Sequence, residues 1–93
     1  MADAVARANQ YLQAGASCVY PIFLREEEPL AAFIEQVTGP VNALFLPEQL
    51  SIEQLATAGV ARITFGSGLH GAAFRTVHHL AERVVAGQDP YAG

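Results

Sequence analysis

Apolar residues recur at helical spacing from Ala2 to Ala14, through Val5, Ala8 and Leu12, and Gly15 follows as a residue able to end a helix in the left-handed region. The next stretch, "ASCVYPIF" from Ala16 to Phe23, changes character: short, β-rich and nearly uncharged, it reads as a strand covered on both faces. Glu26 to Glu28 beside Pro29 then mark a helix start, with proline at the first helical position and carboxylates near the positive end of the helix dipole. That helix runs through Phe33 and Ile34 to Thr38, where Gly39 and Pro40 stop it.

The same alternation continues. "VNALFL" reads as a second buried strand, and Ser51-Ile52-Glu53-Gln54 matches a capping box that opens a short helix ending at Gly59. "ARITF" is a third strand, "GSG" is a turn, and the last helix runs from about Leu69 to Ala86, with Ala72, Ala73, Val77, Leu80, Val84 and Val85 on its apolar side. Aligned on Gly15, Gly39 and Gly59, the chain shows three copies of helix, glycine, buried strand and loop, spaced 24 and then 20 residues apart.

Strict alternation of this kind, αβαβαβα, predicts an α/β fold with a three-stranded parallel sheet in a single domain, residues 1–93. Such a sheet could be a small open one or a sector of a (β/α)₈ barrel. The brief loops and near-uniform repeat favour the barrel sector.

Composition sharpens that choice. The apolar fraction is 52% and the charged fraction 15%, against roughly 45–50% and about 25% in ordinary soluble domains. A 93-residue chain has more apolar surface than its own small core requires. In a barrel sector, one strand face would pack on its helices and the other would meet strands this chain lacks.

Five arginines, no lysine and nine acidic residues leave a net charge of −4. There is no basic stripe of the kind that drives nucleic-acid binding by counterion release. No apolar run approaches the ~20 residues that span a bilayer, and the N-terminus lacks a signal-peptide pattern. With Cys18 as the single cysteine, a reducing cytoplasm is the expected compartment.

Three series of residues carry a family resemblance. Arg7-Ala8, Tyr11 and Ala14-Gly15-Ala16 come first; Pro40 and Asn42 follow; Ser51, Leu55, Gly59-Val60, Arg62 and Gly66 complete the pattern. In order and spacing they resemble the last three β/α units of the isocitrate lyase and phosphoenolpyruvate mutase superfamily. The resemblance implies a (β/α)₈ barrel that binds Mg²⁺ and makes or breaks C–C or P–C bonds in 2-oxo-acid or phosphonate-like substrates, often with terminal helices exchanged between subunits.

It also shows what this chain lacks. In that superfamily, acidic residues on earlier strands hold the Mg²⁺ and a mobile Lys-Cys-Gly loop supplies acid/base chemistry, both upstream of the matched region. The only aspartates here, Asp3 and Asp89, lie near the two ends, so Mg²⁺ is implied for the full-length family but not for this chain alone. The carbon–carbon lyase branch carries a glutamate and an asparagine at strand ends that fall here near Ile22 and Leu44. The pattern is therefore closer to the mutase-like branch.

Candidate contacts are few, and no catalytic residue is assigned. Gly66-Ser67-Gly68 follows the last strand, where barrels often bind phosphate at a helix N-terminus; a tight turn needing glycine accounts for the same residues. Arg25, at the end of a strand, could reach a ligand. Asn42 in an otherwise apolar strand is a candidate substrate contact or a buried hydrogen bond fixing strand register, and the latter is preferred.

Arg62 is expected to reach past the start of its strand to a helix or a neighbouring subunit. His78 and His79 point about 100° apart on a helix and are not expected to converge on one ion. His70 does not join them, and Cys18 reads as a small buried side chain. Two functions follow from these readings. One is the C-terminal portion of a superfamily enzyme, inactive alone, its partner being the missing barrel half and its family substrate a small acid. The other is a self-associating α/β interaction module.

Overall fold

The computed structural model describes residues 1–92. Four helices, α1 (Ala2–Gln13), α2 (Glu27–Gln36), α3 (Ile52–Ala58) and α4 (Gly68–Val85), and two strands, β1 (Asn42–Leu44) and β2 (Arg62–Thr64), follow the order α1-α2-β1-α3-β2-α4. The strands are parallel, with Asn42, Ala43 and Leu44 opposite Arg62, Ile63 and Thr64. The fold is thus α/β with a two-stranded parallel sheet.

The first expected strand, Ala16–Phe23, contracts to a single parallel bridge between Val19 and Val41. Val19 N–H donates to Pro40 O at 3.0 Å and Val19 O accepts from Asn42 N–H at 2.8 Å. Pairing goes no further because Pro21 has no N–H to give and the backbone turns at once. Ile22 N–H bonds Tyr20 O at 3.1 Å and Leu24 N–H bonds Pro21 O at 3.0 Å, so groups a ladder would use are spent locally. In place of three strands there are two and an edge bridge, arranged in chain order.

Local signals set most helix limits. Ser51 Oγ accepts from Gln54 N–H at 3.0 Å while Ser51 N–H donates to Gln54 Oε1 at 2.9 Å, closing the capping box at the start of α3. Gly59 ends that helix in the left-handed region, with φ 101°. α2 begins at Glu27, placing Pro29 third rather than first; its missing N–H has no intrahelical acceptor there either. The same helix ends at Gln36 because Val37 is already extended, with φ −91° and ψ 152°.

Gly39 does not adopt the left-handed conformation that stops the other two helices; it lets two elements touch. A Cβ there would lie 2.7 Å from Leu12 Cδ2 of α1. A second link lies beside it: Asn9 Oδ1 accepts from Thr38 N–H at 2.9 Å, and Asn9 Nδ2 donates to Gln36 O at 3.3 Å. These bonds tie the middle of α1 to the end of α2.

The core lies on one side of the sheet. Val19, Val41 and Ala43 pack with Leu30, Phe33, Val37 and Leu55, and Ala8 joins them from α1. α4 contributes no buried residue. Its 18 residues project from the rest, giving extents of 58 × 25 × 18 Å and a radius of gyration of 18.8 Å, where a compact chain of this length would have about 12 Å. Leu69, Phe74, Val77, Val84 and Val85 all remain exposed along it.

Candidate functional site

Side chains alternate across a strand, so residues one position out of phase with the core point to the face without helices. Cys18, Asn42, Arg62 and Thr64 share that face. Arg62 Nε donates to Asn42 Oδ1 at 3.1 Å, Arg62 Nη2 donates to Cys18 Sγ at 3.0 Å, and Asn42 Nδ2 donates to Thr64 Oγ1 at 3.1 Å. The network links the bridge segment, β1 and β2.

Asn42 is 2% exposed, and both ends of its amide are bonded within the sheet. This is the register-fixing arrangement that a polar residue in an apolar strand requires. Arg62, expected to reach a helix or a neighbouring subunit, lies within this chain across the sheet onto Asn42 and Cys18 and touches no helix through these bonds. The physical reason is the register, since Asn42 stands directly opposite and its carbonyl oxygen needs a donor. Cys18 is half-buried, not enclosed, because its strand is an edge.

The other candidates lie at the opposite end of the strands. Gly66 has φ 55°, and its would-be Cβ faces Leu44 Cδ1 at 3.3 Å. Ser67 is the N-cap of α4 but makes no side-chain capping bond. Gly71 N–H donates to Ser67 O at 2.8 Å, and Gly68 N–H to Phe65 O at 2.9 Å. Arg25 is exposed and borders a narrow crevice with Leu44, Leu46 and Leu50.

Asn42 sits two residues before Leu44 on β1, within a network that runs from Cys18 and Arg62 to Thr64. Arg25 and Gly66 thus each adjoin the apolar Leu44, while the amide of Asn42 is taken up by Arg62 and by Thr64, the last residue of β2. Phe45 and Phe65 extend that apolar rim, their rings 5.4 Å apart and tilted by 45°.

This rim does not suit the Mg²⁺ that the resemblance implies for the full-length family. A hard divalent cation takes several oxygen ligands, frequently carboxylates, whereas the ends of β1 and β2 offer Leu44, Phe45, Thr64 and Phe65. Among the described residues, no group of three His, Cys, Asp or Glu side chains could hold a metal ion.

The paired histidines meet at a carboxylate. His78 Nε2 and His79 Nδ1 lie 3.7 and 3.3 Å from the same oxygen, Glu82 Oε1, because i+3 and i+4 positions flank one helical turn. Both rings are largely exposed and lie well away from the strand ends. Sequence reasoning also missed Asn9, whose two-sided link to Thr38 and Gln36 has no local motif that would reveal it.

Comparison with known proteins assigns the lineage. Residues 1–85 match the phosphoenolpyruvate phosphomutase family, and the chain belongs to it, within the isocitrate lyase and phosphoenolpyruvate mutase superfamily. Two uncharacterized proteins of Mycobacterium tuberculosis, from two strains, are each 33% identical over 95% of this chain and 36% of their own length. A crystal structure from Burkholderia cenocepacia, named provisionally as a phosphonomutase, matches with a TM-score of 0.82 and 33% identity over 87% of this chain and 33% of its own. Another from the same organism, named provisionally as a lyase/mutase, gives a TM-score of 0.77 and 31% identity over 88% of this chain and 30% of its own. The chain spans about a third of the length of these relatives. No described helix is long and apolar enough to cross a membrane.

Proposed function

We propose that this chain forms the C-terminal sector of a (β/α)₈ barrel of the phosphoenolpyruvate mutase type, a cytoplasmic lyase or mutase acting on a small 2-oxo-acid or phosphonate-like substrate. The observation that carries this reading is the match to a provisionally named phosphonomutase, TM-score 0.82 over 87% of this chain but only 33% of that one. Alone, the chain supplies part of the barrel wall and rim. Gly66, Ser67, Gly68 and Arg25 are the residues we place against an acidic substrate group, with Leu44 giving the floor no polar contact; the amide of Asn42 is occupied within the sheet by Arg62 and Thr64.

In this reading Mg²⁺ and acid/base chemistry belong to segments outside this chain. The test is turnover: the purified chain, supplied with Mg²⁺ and phosphonopyruvate or 2-methylisocitrate, is expected to release no product. Release of product by this chain alone would overturn the proposal.

A second reading is favoured by α4, whose 18 residues include none that is buried. A stripe of exposed Leu69, Val77 and Val84 on a projecting helix suits burial against another copy, making the chain a self-associating module. Sedimentation velocity across a range of concentrations separates the two: a stable, concentration-dependent oligomer favours the module. A chain that remains monomeric until a family barrel lacking this sector is added favours the first reading.

A further inference from the structure

Arg62 puts a full charge on the helix-free sheet face, and two side chains hold it there. Arg62 is gripped through Nε by Asn42 and through Nη2 by Cys18, residues 20 and 44 positions away in sequence. Asn42 is itself buried and anchored to Thr64. Arg62 is exposed, yet these two contacts from different segments set the direction its guanidinium faces. Of its five N–H donors, two are spent on these contacts. The only ion pairs among the described residues join Glu82 to His78 and His79, so Arg62 has no counter-charge.

We infer that Arg62 anchors a carboxylate-recognition site on this face, filled in the assembled protein by an aspartate or glutamate side chain of the segment that covers the sheet. The inference rests on the proposed barrel reading, in which this face turns inward. Covering an arginine without a partner leaves a desolvated charge, which is strongly unfavourable. Whatever packs here must therefore bring negative charge. A planar carboxylate matches the unspent side of a planar guanidinium in a bidentate arrangement. The position also argues for a side chain over a free substrate, because Arg62 begins β2 whereas the Gly66–Gly68 turn follows its other end.

Acetate is the probe. In the ¹⁵N-labelled chain at constant ionic strength, the Arg62 Nε–H and Asn42 Nδ2 resonances should shift saturably, with half-saturation below roughly 100 mM, against a chloride control. Arg62→Gln should weaken binding at least tenfold, and Arg62→Lys, which keeps the charge but not the fork, should fall between. The proposal is overturned if the shift is absent, fails to saturate or survives in Arg62→Gln. It is also overturned if the Arg62 resonance shows a freely mobile side chain, because the fork must be preset in this chain. Inorganic phosphate acting on Arg62 at a tenfold lower concentration than acetate would overturn the ligand class. These readouts concern one side chain, so their failure differs from failure of the barrel reading, which sedimentation judges.

Discussion

Truncating Phe33 and Phe74 to alanine should have sharply different effects, because one ring lies in the core and the other lies on a helix with no buried residue. Phe33 is 2% exposed, packed among Leu30, Val41 and Leu55, whereas Phe74 is 65% exposed on α4. Removing a buried phenylalanine ring costs about 3–5 kcal/mol, from lost transfer energy and the cavity left behind. A chain of 93 residues has roughly 5–14 kcal/mol of total stability, and this small one-sided core belongs near the lower end. Phe33→Ala should therefore remove most of the stability, while Phe74→Ala should stay within about 0.5 kcal/mol in dilute monomer.

Urea unfolding followed by circular dichroism at low concentration measures both. The Phe33→Ala midpoint should collapse with little change in slope for any folded fraction that remains, and the Phe74→Ala curve should overlay the parent. Equal losses in monomer would refute the reasoning, since α4 would then have to pack into the core. Repeating Phe74→Ala at high concentration adds a second reading: a penalty that emerges only there means the helix is covered by another copy.

Three further outcomes follow from individual contacts. Asn42→Ala should cost about 2–3 kcal/mol in chemical denaturation, since it removes one neutral and one charge-assisted hydrogen bond from a buried position while Thr64 and Arg62 regain some water. Glu48, a non-glycine residue at φ 63°, should give a midpoint shift worth about 0.5–1 kcal/mol of added stability on replacement by glycine, which adopts that region without strain. Ser51→Ala should lose about 1 kcal/mol by opening the capping box, with faster amide exchange at Gln54 as the local check.

The site candidates were legible to different depths for a physical reason. Asn42 stood out because an amide among Val, Ala, Leu and Phe must find partners, and it finds them in Thr64 and Arg62. The direction taken by Arg62 was not legible, because only the strand register sets Asn42 opposite it. Arg25 and Gly66 are 41 positions apart in sequence (66 − 25), and no local pattern announces that both adjoin Leu44. Cys18 read as enclosed because its neighbours are apolar, yet an edge position leaves it half-buried.

What the sequence determined by itself is everything governed by bonds between near neighbours: the capping box at Ser51, the left-handed stop at Gly59, the amphipathic runs of α1 and α4, and the alternation of helix and strand from α2 onward. The motif spacing also carried the lineage, since family patterns are read position by position along the chain. Tertiary structure alone decided that Val19 makes one bridge where a strand was expected, that Asn9 ties α1 to Thr38, and that α4 stands clear of the core. Each of these depends on which surfaces meet, and an apolar stripe records that a helix face avoids water without recording what covers it.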